Sequence, residues 1–352
     1  MPRLCPTREG EPPREPRVTN DSAAQQASVA SSAERSFAPR DGRSEARLET
    51  KPSLSVGQAA TLACLWEVSV PKPGNVHRGT DFEDLTFFDF VTSAVAIAPA
   101  MEMAAGQGIG AAVLEAVGAT RAAVSTNTNL GTILLLAPLA AVRSDLDEVT
   151  LDAEQFRSQL ERTLQGLGSA DAEHVYEAIR LAQPGGLDEV DEMDVADEAP
   201  DDLLAAMRAA AARDLVARQY TNGFAEVFEV VVPWIGRGLA QGWHLAASLV
   251  HAHVQLMAAH PDSLIARKCG AETAATACRR AAAVLSAGEP GDEAYERGLG
   301  DLDFWLRSDG HRRNPGTTAD LIAASLFVML RIGLLDTGSM THRVEVPTLH
   351  DA

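Results

Sequence analysis

The chain has 352 residues, 46% of them apolar, enough for one large core or two ordinary ones. Its 49 acidic and 30 basic side chains leave a formal charge of −19, which argues against a general nucleic-acid or anionic-membrane binder. Four cysteines (Cys5, Cys64, Cys269, Cys278) fit no metal-ligand spacing and read as reduced thiols of a cytoplasmic protein. The N-terminus lacks the apolar run of a secretory signal. The longest apolar run, Leu130 to Val142, is too short for a bilayer and carries Pro138.

Residues 1–55 hold few large apolar side chains and balance nine bases against eight acids, so they are expected as a disordered tail. From there the apolar residues recur at helical spacing. Asp81 to Met103 places Phe87, Phe90, Val91, Ala94, Val95 and Ala98 on one face. The same period predicts helices over 57–69, 109–124, 130–142, 153–166, 170–182, 201–218, 237–259, 271–286, 293–307 and 317–334. Val227 to Trp234 is β-branched, but Pro233 and its helical neighbours favour a buried helix there. Pro184 to Asp202 carries nine acids and no base, and is expected as a solvated loop without the spacing of a calcium site. Residues 339–352 read as a C-terminal tail. The fold class is therefore all-α: a single domain of about ten helices over 56–338.

Four polar clusters interrupt the helices. The first, PKPGNVHR (71–78), brings Lys72, Gly74, Asn75, His77 and Arg78 into one turn without an acid. In so acidic a chain this is either a phosphate site or an ordinary helix connection. The second, Ser125 to Gly131, includes Thr126, Asn127, Thr128 and Asn129 directly before an apolar helix. One N-cap needs fewer polar groups than this; an anion or ribose hydroxyls would use the rest. Upstream, Glu115 stands on an apolar stretch as a cation ligand or a plain surface glutamate. The third cluster joins Asp262 and Ser263 to Arg267 and Lys268; the fourth, NPGTTAD (314–320), puts Gly316 and Asp320 at a helix start. Asp320 there either works in a site or merely complements the helix dipole. His251 and His253, two apart, cannot share a helix face as a zinc pair.

In this order the clusters resemble the triphosphoribosyl-dephospho-CoA synthase family. The matching segments are PKPGNV (71–76), TNTNLG (126–131), DSLIARKCG (262–270) and NPGTTADL (314–321), with Asp84, Phe87 to Phe90 and Ser93 as a further stretch. The resemblance spans about residues 57–334 and implies an all-α enzyme. It implies that ATP loses adenine and its triphosphoribosyl group joins the 2′-hydroxyl of 3′-dephospho-CoA, the prosthetic-group precursor of citrate lyase and malonate decarboxylase. It further implies phosphate contacts from Lys72, Arg78, Arg267 and Lys268, oxygen contacts from residues 126–128, and acid, base or metal roles for Asp84, Glu115, Asp262 and Asp320. Magnesium is the implied metal, ATP and dephospho-CoA the partners, with no nucleic acid or membrane.

The sequence departs from the family pattern where a His-Lys pair is replaced by Asn129-Leu130, Asp-Thr-Asn by Asp262-Ser263-Leu264, and Asp-Arg by His77-Arg78. Such changes alter specificity more readily than fold. They leave open another cofactor precursor as acceptor, for example a pterin of C1 metabolism. A magnesium-dependent nucleotide hydrolase and a helical binding protein are the other readings. Release of adenine separates the transferase from the hydrolase, and the binding protein leaves the polar TNTN run and the few lysines unexplained.

Overall fold

In the computed structural model, residues 54–124, 126–143, 151–184 and 198–342 are described. The expected tail, save its last two residues, most of the acidic loop and the chain from 343 onward lie outside them. The described helices are α1 (Val56–Ser69), α2 (Phe87–Ala96), α3 (Ala98–Gln107), α4 (Ile109–Ala123), α5 (Leu130–Ala140), α6 (Ala153–Gln165), α7 (Ser169–Ala182) and α8 (Leu203–Ala210). They continue with α9 (Leu215–Asn222), a π-helical turn (Glu226–Val231), α10 (Val232–Ala240), α11 (Leu245–Ala259), α12 (Ser263–Cys269), α13 (Ala271–Ser286), α14 (Glu293–Arg307) and α15 (Gly316–Arg331). A short extended stretch, β1 (Ser308–His311), links α14 to α15.

The all-α class holds, and most predicted helices lie within a residue or two of their observed bounds. The elements are more numerous than expected because local chemistry cuts the longer ones. Asp81 Oδ1 and a Thr86–Asp89 capping box delay α2 to Phe87, and Pro99 in the first turn of α3 parts it from α2 at Ile97. Asp214 caps α9, dividing the stretch expected at 201–218. Gly242, at φ +84°, closes the helix before α11. Val227 to Trp234 is helical, with the π turn absorbing its β-branched residues.

Two helices organise the rest. Almost every residue of α5 from Thr132 to Ala140 is buried, and α15 is buried from Leu321 to Met329. A helix apolar on all sides must lie inside the protein. Around this pair, α1 packs on α15, α4 on α7, and α2 and α3 on both α1 and α4. By length and composition, Phe87–Gln107 could cross a membrane, but it is these two separate helices. A second apolar cluster joins the end of α11 to α12, α13 and α14. The N-termini of α5, α12 and α15 meet where the two clusters adjoin.

Candidate functional site

These N-termini, with the end of α1, the turn at 75–76, the end of α7, α8 and α9, surround a cleft of about 1190 Å³. A single drug-sized ligand occupies roughly 300–1,000 Å³, so the cleft is large enough for more than one such group. Of the residues singled out from the sequence, it is lined by Asn75, Asp84, Thr126, Asn127, Thr128, Asn129, Gly131, Arg267, Lys268, Gly316 and Asp320. Segments nearly 250 residues apart in the chain thus converge on one space.

Asp320 lines the cleft from the N-terminal part of α15. Thr132 Oγ1 donates to its Oδ1 at 2.5 Å. Its Oδ2 lies so close to Gly131 that a Cβ there would fall 2.1 Å from it. Gly131 is therefore glycine because a carboxyl group occupies the place of its side chain. Burial, reinforced by the negative charges of Glu67, Asp262 and Asp214 and only partly offset by the Thr132 hydroxyl, pushes the Asp320 carboxyl up to about 8. It can exchange a proton near neutral pH.

Asp262, expected as a catalytic or metal-binding group, has a different task. Its Oδ1 accepts from the Leu264 and Ile265 amides at 2.9 and 3.0 Å, and its Oδ2 from the Thr318 amide and hydroxyl, both at 2.8 Å. Both oxygens are committed and the residue does not line the cleft. Burial raises its pKa, and these four donors oppose the shift. Asp262 staples the start of α12 to the start of α15. The adjacent Ser263 hydroxyl accepts from the Leu215 amide at 2.9 Å and so ties α12 to α9 as well.

The proline-rich turn divides similarly. Asn75 reaches the cleft, its Nδ2 donating to Asn314 Oδ1 at 2.6 Å. Gly74, at φ +78°, donates to Asp303 Oδ1 at 2.8 Å, and a Cβ there would lie 2.8 Å from Leu306 and Pro315. Arg307, paired with Asp303 at 2.8 Å, donates to the Asn75 carbonyl and pins the turn to α14. Lys72 is 0% exposed: its Nζ lies 2.9 Å from Glu67 Oε1 and donates to the Glu67 and Val70 carbonyls. As it stands, that ammonium is turned inward and satisfied by protein. His77 and Arg78 lie outside the cleft, with His77 Nδ1 accepting from the Gly79 amide at 3.2 Å.

Lys268 does line the cleft, its pKa lowered chiefly by burial and then by Arg267. Arg267 pairs with Asp214, whose other oxygen caps α9. In the polar run, Asn127 Oδ1 accepts from the Leu130 amide at 3.2 Å, and Thr128 bonds Ser93 at 2.6 Å. Since Ser93 donates to the Asp89 carbonyl, Thr128 is the donor of that pair. Asp84 Oδ1 meets His311 Nδ1 at 2.8 Å on the rim. Ser125 falls outside the described residues.

Glu115 is exposed and accepts from Gln107 at 2.9 Å, away from the cleft. With Asp262 saturated, neither expected metal ligand is available to a cation in the cleft. Among the described residues no group of three His, Cys, Asp or Glu side chains is placed to hold a metal ion. A magnesium ion bound mainly by substrate phosphates and water needs no such cluster, only one or two of the carboxylates that line the cleft.

Sequence reasoning missed Glu67, Arg180, Arg213, Asp214 and Thr132, all of which line the cleft. Glu67 sits five residues before Lys72 on the face of α1 that also presents Cys64; that adjacency was the available signal. Arg180 and Arg213 are isolated arginines at helix ends and carry none.

Comparison with known proteins identifies the family. The family model for ATP:dephospho-CoA triphosphoribosyl transferase matches residues 53–338. A solved structure from Archaeoglobus fulgidus, assigned as a triphosphoribosyl-dephospho-CoA synthase, superposes with a TM-score of 0.52 at 26% identity. The match covers 68% of this chain and 98% of that one. No curated protein matches the chain.

Replacing Asp262 with alanine removes acceptors from four donors at two helix starts. Urea denaturation should show a loss of about 3 kcal/mol, while the folded fraction turns over within about tenfold of the parent. A stable variant without activity would return Asp262 to the chemistry.

Proposed function

The chain belongs to the ATP:dephospho-CoA triphosphoribosyl transferase family, and on that premise we propose how its cleft carries out the transfer. The enzyme is a triphosphoribosyl-dephospho-CoA synthase: it moves the 5-triphosphoribosyl group of ATP onto the 2′-hydroxyl of 3′-dephospho-CoA and releases adenine. The bond from ribose C1′ to adenine N9 breaks, and a bond from C1′ to the acceptor oxygen forms. Charge develops on the ribose as in glycoside hydrolysis, so departure of adenine is the step that most needs help.

The observation that carries the assignment of roles is the Asp320 carboxyl packed on Gly131 beneath Thr132. Carrying its proton up to about pH 8, it is suited to protonate the departing adenine. Arg267 and Lys268, with Arg180 and Arg213, supply the cations that the triphosphate and the acceptor's pyrophosphate require. The start of α5 and the hydroxyl and amide groups of 126–129 hold ribose and phosphate oxygens. Lys72 and Asp262 act one layer behind, holding the elements that present these groups. Magnesium enters with the nucleotide as MgATP, a substrate rather than a resident ion. We infer a cytoplasmic enzyme, a reading supported by the free thiols of Cys64, Cys269 and Cys278 and by the nucleotide substrates.

The direct test is incubation with ATP, Mg²⁺ and dephospho-CoA, following adenine by chromatography and the acceptor by mass. Release of pyrophosphate or phosphate without adenine would overturn the assignment. Replacing Asp320 with asparagine should lower turnover about 10²–10⁴-fold with helical content unchanged.

The pH dependence has a definite sign. Since the acid form is the active one, the rate should fall as pH rises through about 8. The folded pKa lies above the unfolded one, so this group stabilises the fold at low pH. That contribution is lost between the ordinary carboxylate range and about 8. Asp320→Asn should flatten that part of the melting-temperature profile; an unaltered profile would remove Asp320 as its source.

A further inference from the structure

A transfer that protonates adenine must also take a proton from the acceptor hydroxyl, and a second carboxylate in the cleft is placed for that. The carboxylates that line the cleft are Glu67, Asp84, Asp214 and Asp320. Asp214 spends one oxygen on capping α9 and the other on Arg267. Asp84 is 64% exposed on the rim and bonded to His311. Glu67 differs from both. Its side chain is 12% exposed, Lys72 Nζ lies 2.9 Å from its Oε1, and among the described residues nothing donates to its Oε2.

The Lys72–Glu67 pair is a costly arrangement if stability is its purpose. Two charges are desolvated at the end of α1, where well-packed apolar residues would often serve the fold as well or better. What the pair does achieve is placement. The Lys72 ammonium is fully buried and also held by the Glu67 and Val70 carbonyls, so the carboxylate is fixed at the C-terminal turn of α1. Asp320, by contrast, has among the described residues a single hydroxyl donor and no cation at hydrogen-bond distance. Two carboxyl groups in one cleft, one paired with an ammonium and one not, divide naturally into base and acid.

We propose that Glu67 is the general base that accepts the proton of the acceptor's 2′-hydroxyl, with Lys72 as the residue that positions it. The assignment rests on the reading of Asp320 as the acid. As the C1′–N9 bond breaks, its electron pair stays with adenine, which takes the Asp320 proton. As the C1′–O bond forms, the hydroxyl proton passes to Glu67. The net result moves one proton from acceptor to adenine, and return of a proton from Glu67 to Asp320 through solvent resets the site. No further reactant is needed.

Glu67→Gln in the full chain, assayed with ATP, Mg²⁺ and dephospho-CoA, tests this. The expected result is a kcat lower by about 10²–10⁴-fold, with both KM values within about threefold of the parent. A kcat within about twofold of the parent would overturn the proposal, as would a loss confined to KM. Because glutamine leaves the buried ammonium without its counter-charge, Glu67→Gln combined with Lys72→Met provides a second arm. The pair is expected to fold and remain equally slow. Recovery of turnover in the pair would show that a stranded charge, and not a missing base, caused the loss. Asp320→Asn measured alongside separates the two readings. An active Glu67→Gln beside an inactive Asp320→Asn sinks only the base, whereas two active variants sink the assignment of the cleft.

Discussion

The Asp320 carboxyl resting on the bare backbone of Gly131 is the contact on which the site depends. It joins α15 to α5, two helices buried along most of their length, where both border the cleft. Interiors packed to crystal-like density hold such a group to within fractions of an ångström. Its surroundings set its chemistry as well. Partly desolvated in the cleft wall and facing other carboxylates, it keeps a proton that a surface aspartate would have lost.

A comparison with Asp262 shows why donor counting separates roles that motif position does not. Both aspartates fall in motifs of the family and both have pKa values raised by burial, Asp262 within the protein and Asp320 in the cleft wall. Asp262 answers to four donors and Asp320 to one hydroxyl. The first is therefore a fastener. Its position is nonetheless functional, since the helix it caps carries Arg267 and Lys268 and the one it clamps carries Asp320. The motif is a unit of positioning and chemistry together.

The helical architecture was legible because period 3.6 and alanine-rich faces act locally, as do the Asp, Thr, Gly and Pro residues that start and stop each helix. The polar run at 125–129 was also legible as more than a helix cap, since no cap needs five polar residues in a row. What stayed hidden depends on neighbours distant in the chain. Lys72 reads as a surface cation until α14 and the end of α1 close over its turn. Glu67 reads as one more helix glutamate until Lys72 folds back on it. Arg180 and Arg213 are ordinary surface arginines until α7 and α8 meet at the cleft, and Glu115 misled because its apolar neighbours bury only one side of α4.

The acidity of the chain sharpens the question of how it attracts two polyanionic substrates. The arginines of the cleft answer this only in part, for Arg267 is already paired with Asp214, and Lys72, behind the cleft, with Glu67. Lys268, already inclined by burial and by Arg267 to give up its proton, gains from an incoming phosphate what its surroundings withhold. A phosphate that pairs with Lys268 thus offsets its desolvation as well as forming a contact, and the start of α5 adds a partial positive charge. A nucleotide carrying its own magnesium brings fewer net negative charges into that setting. Attraction is therefore short-ranged, exerted within the cleft rather than across the surface, as a molecule of net charge −19 requires.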